Sequence, residues 1–185
     1  ILSEKDKEVL LDIARKNIES RLKTGAFYKP DPDTLSDNLS AEAGAFVTLK
    51  KGKELRGCIG RINASEALFE TVRQMSAAAA FNDSRFEPLA LSEYEKISIE
   101  ISVLSPLRKV ESVEEIIVGK HGVMLKFTDR TATFLPQVAL EQGWDRDEFL
   151  GRLSRDKAGM GWGGWKNADI YIYEAIIIDE RTYRQ

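Results

Sequence analysis

The chain has 185 residues, a formal net charge of −3, one histidine and one cysteine. That length suits one domain, or one domain with a minor lobe, and gives a core that folds without metal or a disulfide, which a lone cysteine cannot form internally. The acidic balance argues against general nucleic-acid binding, which rests on neutralising phosphates, and no apolar run reaches the roughly 20 residues of a spanning helix. The charged start, ILSEKDKEVLLDIARKNIESRLK, lacks the basic-then-apolar order of a signal peptide, so a cytoplasmic location is expected.

From Ser3, apolar residues at Val9, Leu10, Ile13, Ala14, Ile18 and Leu22 follow helical spacing, and Gly25 offers the stop. The proline-containing stretch KPDPDTLSDNLSAEAG reads as an irregular connection. GAFVTLK and ELRGCIG, separated by Lys51-Gly52-Lys53, read as a hairpin. Asn63 with Glu66 three residues on predicts a capped helix through Ala80, whose alanine-rich centre lets another element approach closely.

Pro88 closes that region, and KISIEISVLSPL alternates as a strand over Ile97, Ile99, Ile101 and Val103. GVMLKF and TATFLP follow as strands around Asp129-Arg130. PQVALEQGW and DRDEFLGRLSRDKAG read as two short helices, the second started by Asp145 and closed near Gly159. IYIYEAIII reads as one last strand, central because its second half is apolar. The pattern predicts an α+β fold with a mainly antiparallel sheet flanked by helices.

The residues that could carry chemistry gather in LRGCIG. On a regular strand, Arg56, Cys58 and Gly60 share one face, and a guanidinium two residues from a thiol favours the nucleophilic thiolate. The positive end of a helix begun after Asn63 would add to that field. Against this, a free cysteine usually serves as a small buried apolar side chain, and Gly57 and Gly60 equally mark close backbone approach or an anion-binding turn. NDSRFEP offers Asp83 and Arg85 where a helix yields to a turn, either as site residues or as a cap with a surface ion pair. His121, in GKHGVML, is a candidate base for Cys58 or a solvated turn residue. One histidine and one cysteine cannot make the usual zinc sets, so no metal and no cofactor are expected. Trp162 and Trp165 in GMGWGGW read as packing rings, with a partner anchor as the alternative.

LRGCIG, AAAAFNDSRFEPL, IEISVLSP, KHGVML and ATFLPQVALEQGWDRDEFLGRL, in that order, resemble the AMMECR domain family over nearly the whole chain. Prokaryotic members of this kind resemble protein A of the AmmeMemoRadiSam system. The resemblance implies a larger lobe around an antiparallel sheet and a smaller lobe, set at about 112–165, with signature residues falling on 55–60. It also implies MEMO-like and radical-SAM proteins as partners, and no established reaction.

Three readings result. In the first, an enzyme or enzyme subunit takes an anionic substrate at Arg56, Cys58, Asp83 and Arg85: Cys58 attacks, Arg56 stabilises the thiolate, and His121 or Asp83 moves the proton. In the second, a scaffolding module uses LRGCIG as a tight strand junction. The third, an RNA-modification accessory factor, rests on Lys50, Lys51, Lys53, Arg56 and Arg61 near the hairpin.

Overall fold

The computed structural model of the chain describes residues 1–183. They form two compact units, one of Ile1–Leu104 with the chain from Ile176 onward, the other of Ser105–Ala175. Each holds its own sheet and its own hydrophobic cluster.

In the first unit, helix α1 (Glu4–Thr24) begins at Ser3, which caps it reciprocally with Asp6, and ends at Gly25 with φ +77°. Strands β1 (Ala45–Lys51) and β2 (Glu54–Arg61) form the expected hairpin. Gly52 supplies the positive φ, +62°, that a tight two-residue turn requires. β3 (Ile97–Leu104) pairs with β1, giving the sheet order β2-β1-β3-β8. Val47, Leu49, Ile99 and Ile101 point from this sheet into a core shared with Leu10, Ile13 and Ile18 of α1 and with Val72, Met75 and Ala79 of α3 (Leu68–Phe81). Thr48, Glu100 and Ser102, on the alternate positions, are buried too. α1 is further tied down by Arg15, which donates from Nε to Glu180 at 2.9 Å and to the carbonyls of Tyr94 and Ile97 at 2.9 and 2.8 Å.

Three elements depart from the sequence reading. The irregular connection holds a 3-10 turn, Pro32–Thr34, and a short helix α2 (Asp37–Ser40), capped by the side chains of Asp31 and Ser36. α3 starts at Leu68 and not after Asn63, because its would-be capping partner is used elsewhere. Glu66 binds Arg61 at 2.9 Å, and the backbone around 66–68 pairs with 41–43. IYIYEAIII is two strands in two sheets: β7 (Asp169–Tyr173) and β8 (Ala175–Asp179) part at Glu174. The apolar half, expected to be central, ends the strand order of the first sheet and leaves Ile176 and Ile177 exposed.

The second unit is a sheet of order β4-β7-β5-β6, built from β4 (Arg108–Lys109), β5 (Gly122–Lys126), β6 (Thr131–Phe134) and β7. Because β4 and β7 belong to it, the unit begins before 112 and ends after 165. Helices α4 (Pro136–Gln142) and α5 (Arg146–Arg152) accompany it, α5 capped by Asp145 and prolonged by a wider turn, Leu153–Lys157, ahead of Gly159. Phe149, Leu150 and Leu153 fill the core against Val123, Leu125 and Ile172. A short helix α6 (Glu180–Tyr183) follows β8 in the first unit. No helix among the described residues is long and apolar enough to cross a membrane.

Candidate functional site

Arg56, Cys58, Asp83 and Arg85 come together at the outer side of β2. The strand is not regular there. Gly57 pairs with Leu49 while Leu55 pairs with Lys50, so Arg56 is an extra residue and the alternation that would place it beside Cys58 is broken. Cys58 lies opposite Thr48, and its Sγ is 3.2 Å from the Thr48 hydroxyl.

The two motif glycines have steric reasons. A Cβ on Gly57 would sit 2.2 Å from the Ala79 carbonyl oxygen, so α3 lies directly against this strand. A Cβ on Gly60 would strike the Phe46 ring. The end of α3 that meets β2 is its last turn, the partly negative end of the helix, whose Ala78 and Ala80 carbonyls accept the Asn82 and Leu89 N–H groups. The expected positive helix end is therefore replaced by a negative one.

The chain leaving α3 clamps the strand. Asp83, 6 % exposed, accepts the Cys58 N–H at 2.9 Å, and holds Arg85 through its backbone N–H at 3.2 Å and through Nε and Nη2 at 3.0 and 2.7 Å. Arg85 Nη2 also lies 3.4 Å from the Cys58 carbonyl oxygen. Side chains thus meet both backbone groups of Cys58 where a neighbouring strand would otherwise stand. The hydrogen bond from Arg85 pulls the Asp83 carboxyl down to about 2, so it is ionised at neutral pH and a very weak base there.

Arg56 turns the other way. Its guanidinium binds Glu93 through Nε at 2.8 Å and Nη2 at 3.1 Å and donates to the Glu87 carbonyl at 2.8 Å, while its buried Nη1 has no hydrogen-bond partner among the described residues. Glu93 also takes Lys51 at 3.2 Å and is held at about 2, chiefly by Arg56. Both guanidinium groups stand over Phe86, at 5.8 Å for Arg56 and 5.4 Å for Arg85. Arg85 is the guanidinium that reaches Cys58, at its carbonyl oxygen, and the two side chains favour each other's charged forms. Glu93, Phe86 and Thr48 are the members that sequence reading did not single out. Phe86 was within reach, since it stands inside NDSRFEP.

His121 belongs to the second unit. It is 8 % exposed, and its Nδ1 accepts the Ile117 N–H at 3.0 Å, which leaves the proton of the neutral ring on Nε2. Burial, then nearby Lys120, lowers its pKa. Of the basic residues near the hairpin, Lys50, Lys51, Arg56 and Arg61 each lie against a carboxylate, Glu100, Glu93, Glu93 and Glu66. Four of the five cations on which the RNA reading rests are therefore ion-paired. Trp162 packs its ring over Gly151 of α5, with Arg155 stacked on it at 5.2 Å. No group of three or more His, Cys, Asp or Glu side chains among the described residues is placed to hold a metal ion.

Comparison with known proteins places this geometry in a lineage. Protein MK0488 of Methanopyrus kandleri is 40 % identical over 184 residues, covering 94 % of this chain and 87 % of its own. Protein NEQ441 of Nanoarchaeum equitans is 37 % identical, with 92 % and 98 % covered. Among solved structures, uncharacterised protein PH0010 of Pyrococcus horikoshii superposes with a TM-score of 0.90 at 34 % identity, over 96 % of this chain and 92 % of that one. The AMMECR1 family model matches residues 11–178, which takes in both sheets and every member of the Cys58 cluster. With that coverage and those identities, the chain belongs to the AMMECR1 family.

Proposed function

We propose that the first unit is a recognition module whose Cys58 cluster binds an anionic group, a carboxylate or a phosphate, on a partner protein or small molecule. Arg85 is the binding element. Its side chain is half exposed, yet it is fixed by Asp83 and stacked on Phe86, and its Nη1 makes no hydrogen bond among the described residues. A guanidinium already held in place binds an oxyanion with little further loss of rotamer freedom, and that carries this reading. Arg56 and Glu93, mostly buried against each other, hold the bulged strand that presents the thiol. MEMO-like and radical-SAM proteins are the partners this family resemblance brings forward.

A catalytic thiol is the second reading, favoured by the Thr48 hydroxyl beside Sγ and by the coupling of Cys58 to Arg85. Asp83, held at about 2, is too weak a base to draw the thiol proton well at neutral pH, which counts against it in that role.

Protection of Cys58 tests the recognition reading. Inorganic phosphate or acetate should slow alkylation of the native thiol by neutral iodoacetamide in a saturable way, and Arg85→Gln should remove the protection without unfolding the chain. Equal rates with and without the anions would count against it.

A further inference from the structure

The second unit contains a concavity of about 320 Å³ lined by Ser105, Arg108, Lys120, His121, Tyr173 and Glu174 among others. That volume is at the lower end of small-molecule sites. We propose that it is a binding site for the phosphoryl group of a small molecule, separate from the Cys58 cluster.

The argument is the imbalance of donors and acceptors on its wall. Arg108 and Lys120 carry only N–H donors. His121 accepts the Ile117 N–H at Nδ1, which puts the proton of its neutral ring on Nε2, and the Glu115 backbone also acts on the ring. Ser105 Oγ accepts the Glu174 N–H at 2.8 Å and keeps its own proton to give. Tyr173 is engaged through its hydroxyl with Thr133 at 2.8 Å and with the Phe134 carbonyl at 3.1 Å. The one lining carboxylate, Glu174, meets Lys120 at 3.5 Å, and Arg108 meets Glu115 at 2.9 Å. Both pairs are exposed to solvent, so they are weak and give way to a better acceptor.

The wall is thus rich in donors, and its two cations, Arg108 and Lys120, each stand beside an exposed carboxylate that an incoming oxyanion would displace. Three terminal oxygens of a phosphoryl group answer donors from several directions better than the two oxygens of a planar carboxylate do. In this site His121 serves as a neutral donor.

The single histidine makes the test direct. Inorganic phosphate, titrated into the whole chain at constant ionic strength, should shift the His121 ring resonances saturably. Lys120→Ala and Arg108→Ala, both at exposed positions, should each weaken that binding by about tenfold. Acetate should shift the same resonances far less. No saturable shift, an equal response to acetate, or unchanged affinity in both variants would each overturn the assignment. Because Cys58 protection is read at another residue in the first unit, failure of either proposal leaves the other standing.

Discussion

Replacing Asp83 by asparagine isolates the charge that organises the Cys58 cluster. Its carboxylate is buried, takes four N–H donors from Cys58 and Arg85, and is held at about 2, below the ordinary aspartate value of about 3.9. A depressed folded-state pKa adds stability above the unfolded value and loses it as pH falls through the folded one. The gap corresponds to roughly 2 kcal/mol at neutral pH. About half of that should be gone by pH about 3, and most of it by pH about 2. Asp83→Asn keeps the shape and removes the charge, so the wild type should exceed the variant by about 2 kcal/mol at pH 7, with the difference closing over that acid window. Asp6 and Glu93 are also held at about 2, but both are present in either protein and cancel. Urea unfolding across the pH series is the assay. A wild-type advantage that stays flat with pH would refute the reasoning, since Asp83 would then act as a neutral acceptor.

Other substitutions probe the neighbouring contacts. Gly57→Ala forces a Cβ onto the Ala79 carbonyl and should cost about 1–3 kcal/mol in urea unfolding; unchanged stability would mean that α3 and β2 separate freely. Glu93→Ala leaves the mostly buried Arg56 unpaired and should cost about 3 kcal/mol, whereas Arg56→Met with Glu93→Leu should recover much of it. A double mutant no more stable than Glu93→Ala would contradict that account. Ser3→Ala removes one half of the α1 capping box and should cost about 1 kcal/mol, read as a lowered urea midpoint.

The elements legible in the sequence are those whose signals are local. Ser3, Asp6 and Gly25 bound α1 by contacts within a few residues, and Gly52 turns the hairpin by its own backbone freedom. Failures occur where a distant partner decides. Asn63 and Glu66 have capping-box spacing, yet Arg61 takes Glu66 and the 41–43 segment takes the backbone, so α3 begins later. IYIYEAIII keeps one apolar pattern through Glu174 although the chain changes sheets there, and periodicity carries no record of which sheet a strand joins.

The candidate site divides the same way. LRGCIG and NDSRFEP were visible as motifs, and Asp83 and Arg85 do reach Cys58. The bulge at Arg56, its pairing with Glu93, and the meeting of the negative end of α3 with Gly57 depend on tertiary packing. These contacts make Arg85, not Arg56, the cation that reaches Cys58, through its carbonyl oxygen.

The most direct test of the central claim compares two thiol reagents of one size and opposite need for a cation. Native Cys58 should react with anionic iodoacetate faster, relative to neutral iodoacetamide, than a free model thiol does. Arg85→Gln should return the ratio to the model value. A ratio that matches the model thiol in the native protein, and does not move in Arg85→Gln, would show that Arg85 guides no anion to this site.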